Sequence, residues 1–220
     1  MKRYQFIQFQ SILNYLLKFL FSNLKPEEIL VRCGDWDITD DYTERLEHQD
    51  RKVNSVSIHP LYTEGRSDDL KLYNDVGIVH TKEAFDIKPN VNTICLPDSV
   101  TDDNFSKNDC HTMGWGTLND KEPDNIIQNY MKKVVLNRVD FDECNSILKV
   151  RNETKNSFKL HSSFICAGGE KEKDVCKGDG GGPLVCQQQG NPNKYVFFFL
   201  FYFTVCSQNS KIQRFSAFGP

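Results

Sequence analysis

Eight cysteines, Cys33, Cys95, Cys110, Cys144, Cys166, Cys176, Cys186 and Cys206, constrain this 220-residue chain more than any other feature. No two are spaced Cys-x-x-Cys, so zinc ribbons and thioredoxin-like redox pairs have no support. A dispersed set of this size suits a disulfide framework, which needs an oxidising compartment. Asn104-Phe-Ser106 and Asn152-Glu-Thr154 are N-glycosylation sequons and fit the same compartment. The expected location is therefore secreted and extracellular. A net charge of −3, with acids and bases interspersed, gives no electrostatic reason to expect nucleic acid or an anionic membrane as partner. The length suffices for one domain or two small lobes.

Between the two ends the sequence alternates short β-rich runs with turn signals. The runs are Lys52–His59, Asp75–His80, Thr93–Leu96, Cys110–Gly116, Tyr130–Leu136, Ser163–Ala167 and Pro183–Cys186. Gly, Pro, Asn and Asp fall between them. Regularly spaced short strands predict an all-β barrel or sandwich. One helix is expected at Phe141–Lys149, with Asp140 or Asp142 as its N-cap.

The ends read differently, and three regions are expected: 1–23 atypical, 24–195 a partial domain, and 196–220 an atypical tail. Lys2 and Arg3 followed by Phe6, Ile7, Leu13 and Leu16 resemble a signal sequence. Gln8, Gln10, Asn14 and Lys18 interrupt the apolar run, and no small-residue cleavage site follows. The same interruptions argue against a transmembrane helix. At the other end Tyr195–Phe203 is an aromatic run of nine residues, too short to span a bilayer. Phenylalanine codons are pyrimidine-rich, as are tracts before splice acceptors, so residues after about Tyr195 are expected to be translated intron. A buried strand is the alternative.

One stretch decides the class. Asp174-Val-Cys176-Lys-Gly178-Asp179-Gly180-Gly-Gly182-Pro183-Leu-Val-Cys186 looks like the Gly-Asp-Ser-Gly-Gly-Pro loop of chymotrypsin-like serine proteases, with glycine where the serine stands. Asn74-Asp75-Val-Gly-Ile-Val resembles the strand that carries the family's catalytic aspartate. Ile94-Cys-Leu-Pro97 resembles the interdomain linker, and Met113-Gly-Trp-Gly116 the first strand of the second barrel. Phe164-Ile-Cys-Ala-Gly168 resembles the strand before the specificity pocket. Within the family, Val31–Asp37, His48–Arg51 and Ile58-His-Pro60 are most similar to arthropod clip-domain serine protease homologues of the phenoloxidase-activating-factor and masquerade-like kind.

The resemblance implies a trypsin-like double six-stranded antiparallel β-barrel, incomplete at both ends. It also implies site roles. Asp75 matches the carboxylate that orients the catalytic imidazole, although alone it would read as an ordinary strand-start aspartate. Gly180 stands in place of the nucleophile, and glycine has no side chain to attack a carbonyl. The family's histidine sits in an Ala-Ala-His-Cys turn, and none of His48, His59, His80, His111 and His161 has that setting. The amides of Gly178 and Gly180 could still form an oxyanion hole, because glycine keeps its N–H. Asp174 matches the floor of a pocket for Arg or Lys side chains; the other reading is one more exposed acid in the run Glu170–Asp174. Asp179 matches the partner of the amino terminus released by activation cleavage. Implied disulfides are Cys110–Cys186 and Cys144–Cys166, with the partners of Cys33, Cys95, Cys176 and Cys206 open. No metal or other cofactor is implied.

The expected function is thus a catalytically inactive protease homologue, a secreted binding cofactor in an innate-immune cascade that activates prophenoloxidase. Its partners would be prophenoloxidase or the activating protease. The alternatives are an active trypsin-like endopeptidase whose residue 180 is misread from serine, and a truncated product without function.

Overall fold

The computed structural model describes residues 3–5, 25–39, 45–62, 73–96, 105–118, 127–151, 159–170, 173, 175–176, 178–200 and 212–216. Strands dominate, as the alternating runs predict. They are β1 (Arg3–Gln5), β2 (Leu30–Cys33), β3 (Gln49–Ile58), β4 (Gly77–Thr81), β5 (Thr93–Cys95) and β6 (Phe105–Gly114). There follow β7 (Lys132–Leu136), β8 (Arg138–Val139), β9 (Phe164–Gly168), β10 (Pro183–Gln188), β11 (Asn191–Leu200) and β12 (Ile212–Ser216). The described strands form one six-stranded sheet, β1-β5-β11-β10-β6-β7, and two three-stranded sheets, β12-β9-β8 and β2-β3-β4. This is the β architecture expected of a trypsin-like domain.

Among the described residues three apolar clusters hold these sheets, one of them Cys144, Leu160, Phe164 and Cys166 beside β9. In the N-terminal half Val31, Cys33, Val53, Val79, Phe85 and Val91 pack together. In the C-terminal half Phe105, Leu136, Ala167, Val175, Leu184 and Val196 surround the Cys110–Cys186 bridge. β10 lies between β6 and β11, so Pro183–Cys186 are buried on both faces and read as an unbroken apolar run. Leu136 and Leu184 are fully buried, each worth about 2 kcal/mol by area.

The one α-helix among the described residues, α1 (Phe141–Arg151), lies where the pattern expected it. Asp140 accepts the Cys144 N–H at its backbone oxygen, the first bond of the helix, at 2.9 Å. The expected side-chain cap does not form at Asp140, because its carboxylate takes Lys107 Nζ at 2.7 Å instead. Cys144, in the first turns of α1, is bridged to Cys166 of β9. The two disulfides close loops with separations of 76 and 22 residues. Chain entropy makes them worth about 4.5 and about 3.4 kcal/mol respectively. Cys176 is also disulfide-bonded, and Cys95 carries a free thiol.

Residue 195, the expected boundary, falls inside β11, which is antiparallel to β10 as far as Leu200. β12 pairs with β9 from Ile212 opposite Gly168 to Ser216 opposite Phe164. No helix among the described residues is long and apolar enough to cross a membrane.

Candidate functional site

The loop that enters β10 is built from glycines that the local geometry uses in different ways. Gly178 has φ +96°, in the left-handed region that side chains rarely adopt. Gly182 is required for space: a Cβ there would lie 2.8 Å from Asp179 O and 2.9 Å from Met113 O. Gly180 is absent from the positive-φ glycines among the described residues. Its φ alone therefore does not demand glycine there.

Asp179 anchors this loop inward. Its carboxylate accepts the Gly116 N–H at 2.8 Å and the Cys176 N–H at 2.9 Å. The turn is closed by Asp179 N–H to Cys176 O at 3.1 Å and Gly182 N–H to Asp179 O at 2.9 Å. A side chain at Gly114 would collide with the Asp179 carboxylate, so Met113-Gly-Trp-Gly116 is glycine-rich where Asp179 docks. The family resemblance marked Asp179 through an activation amine; one of its two backbone donors here, Gly116, lies 63 positions away in the chain.

Asp75 precedes β4 in the segment Tyr73–Val76. Burial alone pushes its carboxyl up from the usual 3.8 to about 6. None of the five histidines hydrogen-bonds to it among the described residues. His48 lies 3.9 Å from Asp50 and His111 lies 3.0 Å from Asp109. His59 Nδ1 accepts the Leu61 N–H at 3.1 Å, His80 is exposed on β4, and His161 is bound to Ser163. The carboxylate is thus placed in a desolvated setting without the imidazole that would share its charge.

The two halves meet around these residues. Trp36 O accepts Trp115 Nε1 at 3.1 Å and the Met131 N–H at 3.0 Å, and Ile38 N–H donates to Asn129 O at 3.1 Å. On the other side Ser163 Oγ accepts the Asn74 N–H at 3.1 Å. Sequence reasoning gave Trp36 and Ser163 no role of their own, because each acts through contacts distant in sequence. Asp174, Asn104 and Asn152 lie outside the described residues. Among the described residues no group of three or more His, Cys, Asp or Glu side chains could hold a metal ion.

The comparisons with known proteins agree with this arrangement. The family profile described as trypsin matches residues 21–217. The chain is similar to phenoloxidase-activating factor 2 of Galleria mellonella, 36% identical over 167 residues covering 76% of this chain and 52% of that protein. It is similar to inactive CLIP domain-containing serine protease A28 of Anopheles gambiae, 33% identical, covering 74% of this chain and 39% of that protein. Protein masquerade of Drosophila melanogaster is 32% identical, covering 74% of this chain and 14% of that protein. The chain spans about half the length of the first of these relatives and less of the others. The glycine-rich loop held by Asp179, the half-buried Asp75 and the family match lead to one conclusion: the chain belongs to the trypsin family of serine proteases.

Proposed function

We propose that this chain is a non-catalytic member of the family that works by binding. The observation that carries the reading is Gly180, in a loop of the protease type, at the position of the attacking hydroxyl. Acyl transfer needs that hydroxyl, an imidazole to take its proton and a carboxylate to orient the imidazole. Here the carboxylate Asp75 has no imidazole bonded to it among the described residues, and Gly180 offers no nucleophile. Removing the serine from a related triad lowers turnover about 10⁶-fold, roughly 8 kcal/mol of transition-state stabilisation. Backbone amides at Gly178 and Gly180, and Asp174 as a pocket carboxylate, would remain as parts of a cleft that holds a polypeptide without cutting it. Asp179, tied to Gly116 and Cys176, would support that cleft.

The expected setting is extracellular, with glycans at Asn104 and Asn152, in a proteolytic cascade of innate immunity. The relatives named phenoloxidase-activating factor and inactive CLIP protease support this. Prophenoloxidase or its activating protease is the proposed partner. The test is binding of the purified full-length protein to each by surface plasmon resonance. Saturable binding at micromolar concentration or tighter is expected; absence of binding to both overturns the cofactor role.

A second reading, an active trypsin-like endopeptidase with serine at position 180, draws on one observation. The backbone at Gly180 has no positive φ, so φ does not exclude a serine there. Relatives named as proteases, such as CLIP domain-containing serine protease B4 of Anopheles gambiae, share 27% identity with the chain. Sequencing the coding region through codon 180 separates the two readings.

A further inference from the structure

Asp75 sits at the apex of a three-residue turn whose two neighbours are each pinned from outside. Asn74 O accepts the Val76 N–H at 2.8 Å, which closes the turn around Asp75. On one side Val76, 5% exposed, accepts the His59 N–H at its carbonyl oxygen at 3.0 Å, just beyond β3. On the other side Asn74 has φ +54°, the one positive φ at a non-glycine residue among the described residues. A residue in that region persists only where its surroundings over-determine it. Two contacts do so here: Asn74 Nδ2 donates to Leu61 O at 2.9 Å, and the Asn74 N–H donates to Ser163 Oγ at 3.1 Å.

The two contacts differ in origin. Leu61 belongs to the same half of the chain, whereas Ser163 lies 89 positions from Asn74, in the turn that leads into β9. Ser163 is 2% exposed, and its hydroxyl is fixed on a second side by His161 Nδ1 at 2.8 Å. The same turn grips the residue before Asn74. The His161 ring stacks on Tyr73 with centroids 4.2 Å apart, and Phe164 meets Tyr73 edge-on at 6.1 Å.

We propose that Ser163 is a positioning residue for Asp75: from the second half of the chain its hydroxyl holds Asn74 in the left-handed conformation, and so keeps the Asp75 turn docked against the turn before β9. The proposal goes beyond the functional reading above and holds whether or not the chain cleaves peptides. Without the Ser163 oxygen the Asn74 N–H loses its acceptor, the backbone there relaxes toward the commoner regions, and the residue after it swings with it. The burial of Asp75 is the consequence that can be read, because burial is the cause of the raised titration of its carboxyl. The other titratable side chains of the segments that meet here are His59, Tyr73, Lys159 and His161, and none of them is a cause of that rise.

The test is the titration of the Asp75 carboxyl in the purified full-length protein, followed by the NMR shift of its carboxyl carbon and assigned by the loss of that signal in Asp75→Asn. In the wild type the midpoint is expected at about 6. In Ser163→Ala it should fall by about one pH unit or more, toward the ordinary 3.8, as the turn lifts into water. Asn74→Ala leaves Ser163 in place and disfavours the left-handed conformation, so it should move the midpoint the same way. Removing a hydroxyl without moving the turn makes the surroundings less polar, which leaves the midpoint in place or raises it; a merely structural role is thereby told apart. Protection of the Leu136 amide in β7 against hydrogen exchange reports whether each variant is folded. If neither folds, the wild-type Asn74 N–H decides: it should be protected roughly threefold or more, the worth of one hydrogen bond. A midpoint unmoved or raised in either folded variant, a wild-type midpoint near the ordinary value, or an unprotected Asn74 N–H overturns the proposal.

Discussion

Replacing Asp75 with asparagine should stabilise the protein at neutral pH, an unusual expectation for a residue of a protease catalytic motif. The carboxyl is raised from 3.8 to about 6 by burial, with no compensating hydrogen bond or cation. A shift of about two units, at 1.36 kcal/mol each, is a penalty of about 3 kcal/mol for the ionised form. The folded state holds this proton more tightly than the unfolded chain, so the penalty is absent below about pH 4, grows through the interval and is complete above about pH 6. Asparagine keeps the shape and carries no charge, although its amide also loses some hydration on burial. Urea unfolding should therefore show Asp75→Asn more stable than wild type by about 2–3 kcal/mol at pH 7.5, and about equal at pH 4. In a family member with the imidazole in place the same change removes a compensated charge and gives no such gain. A variant no more stable at pH 7.5, or a gain independent of pH, would refute the reasoning.

Three further outcomes follow from the same geometry. Gly182→Ala drives a methyl into Asp179 O and Met113 O, and should lower the unfolding free energy by about 2 kcal/mol or more, measured by denaturant titration. Gly180→Ser should still give no amidolysis of an arginyl substrate, because Asp75 has no imidazole bonded to it among the described residues to take the serine proton. Paired Cys144→Ala and Cys166→Ala should cost about 3 kcal/mol from the lost closure of a 22-residue separation, read as a lower urea midpoint.

How much of this could be read from the chain depends on how local each signal is. β3, β7, β9 and β10 lie near their expected positions because alternation and turn residues act over a few neighbours. α1 was legible for the same reason. The cap at Asp140 was not, since Lys107 competes for its carboxylate from 33 positions away. The reach of β11 past Tyr195 is set by pairing with β10, which an aromatic run alone does not specify. Gly180 and Asp75 stood out in the sequence because they sit in segments that resemble motifs with fixed spacing. The docking of Asp179 on Gly116 and that of Asn74 on Ser163 were not legible, because each joins segments 63 or more positions apart and leaves no periodicity in the sequence.

The central claim is that the protease-like site performs no chemistry. The most direct measurement is hydrolysis of an arginyl amide substrate by the purified full-length protein, with and without a serine-directed phosphonylating inhibitor. The account predicts a rate indistinguishable from the uncatalysed background and no inhibitor-dependent change. Inhibitor-sensitive turnover would contradict it and make the chain part of a working trypsin-like enzyme.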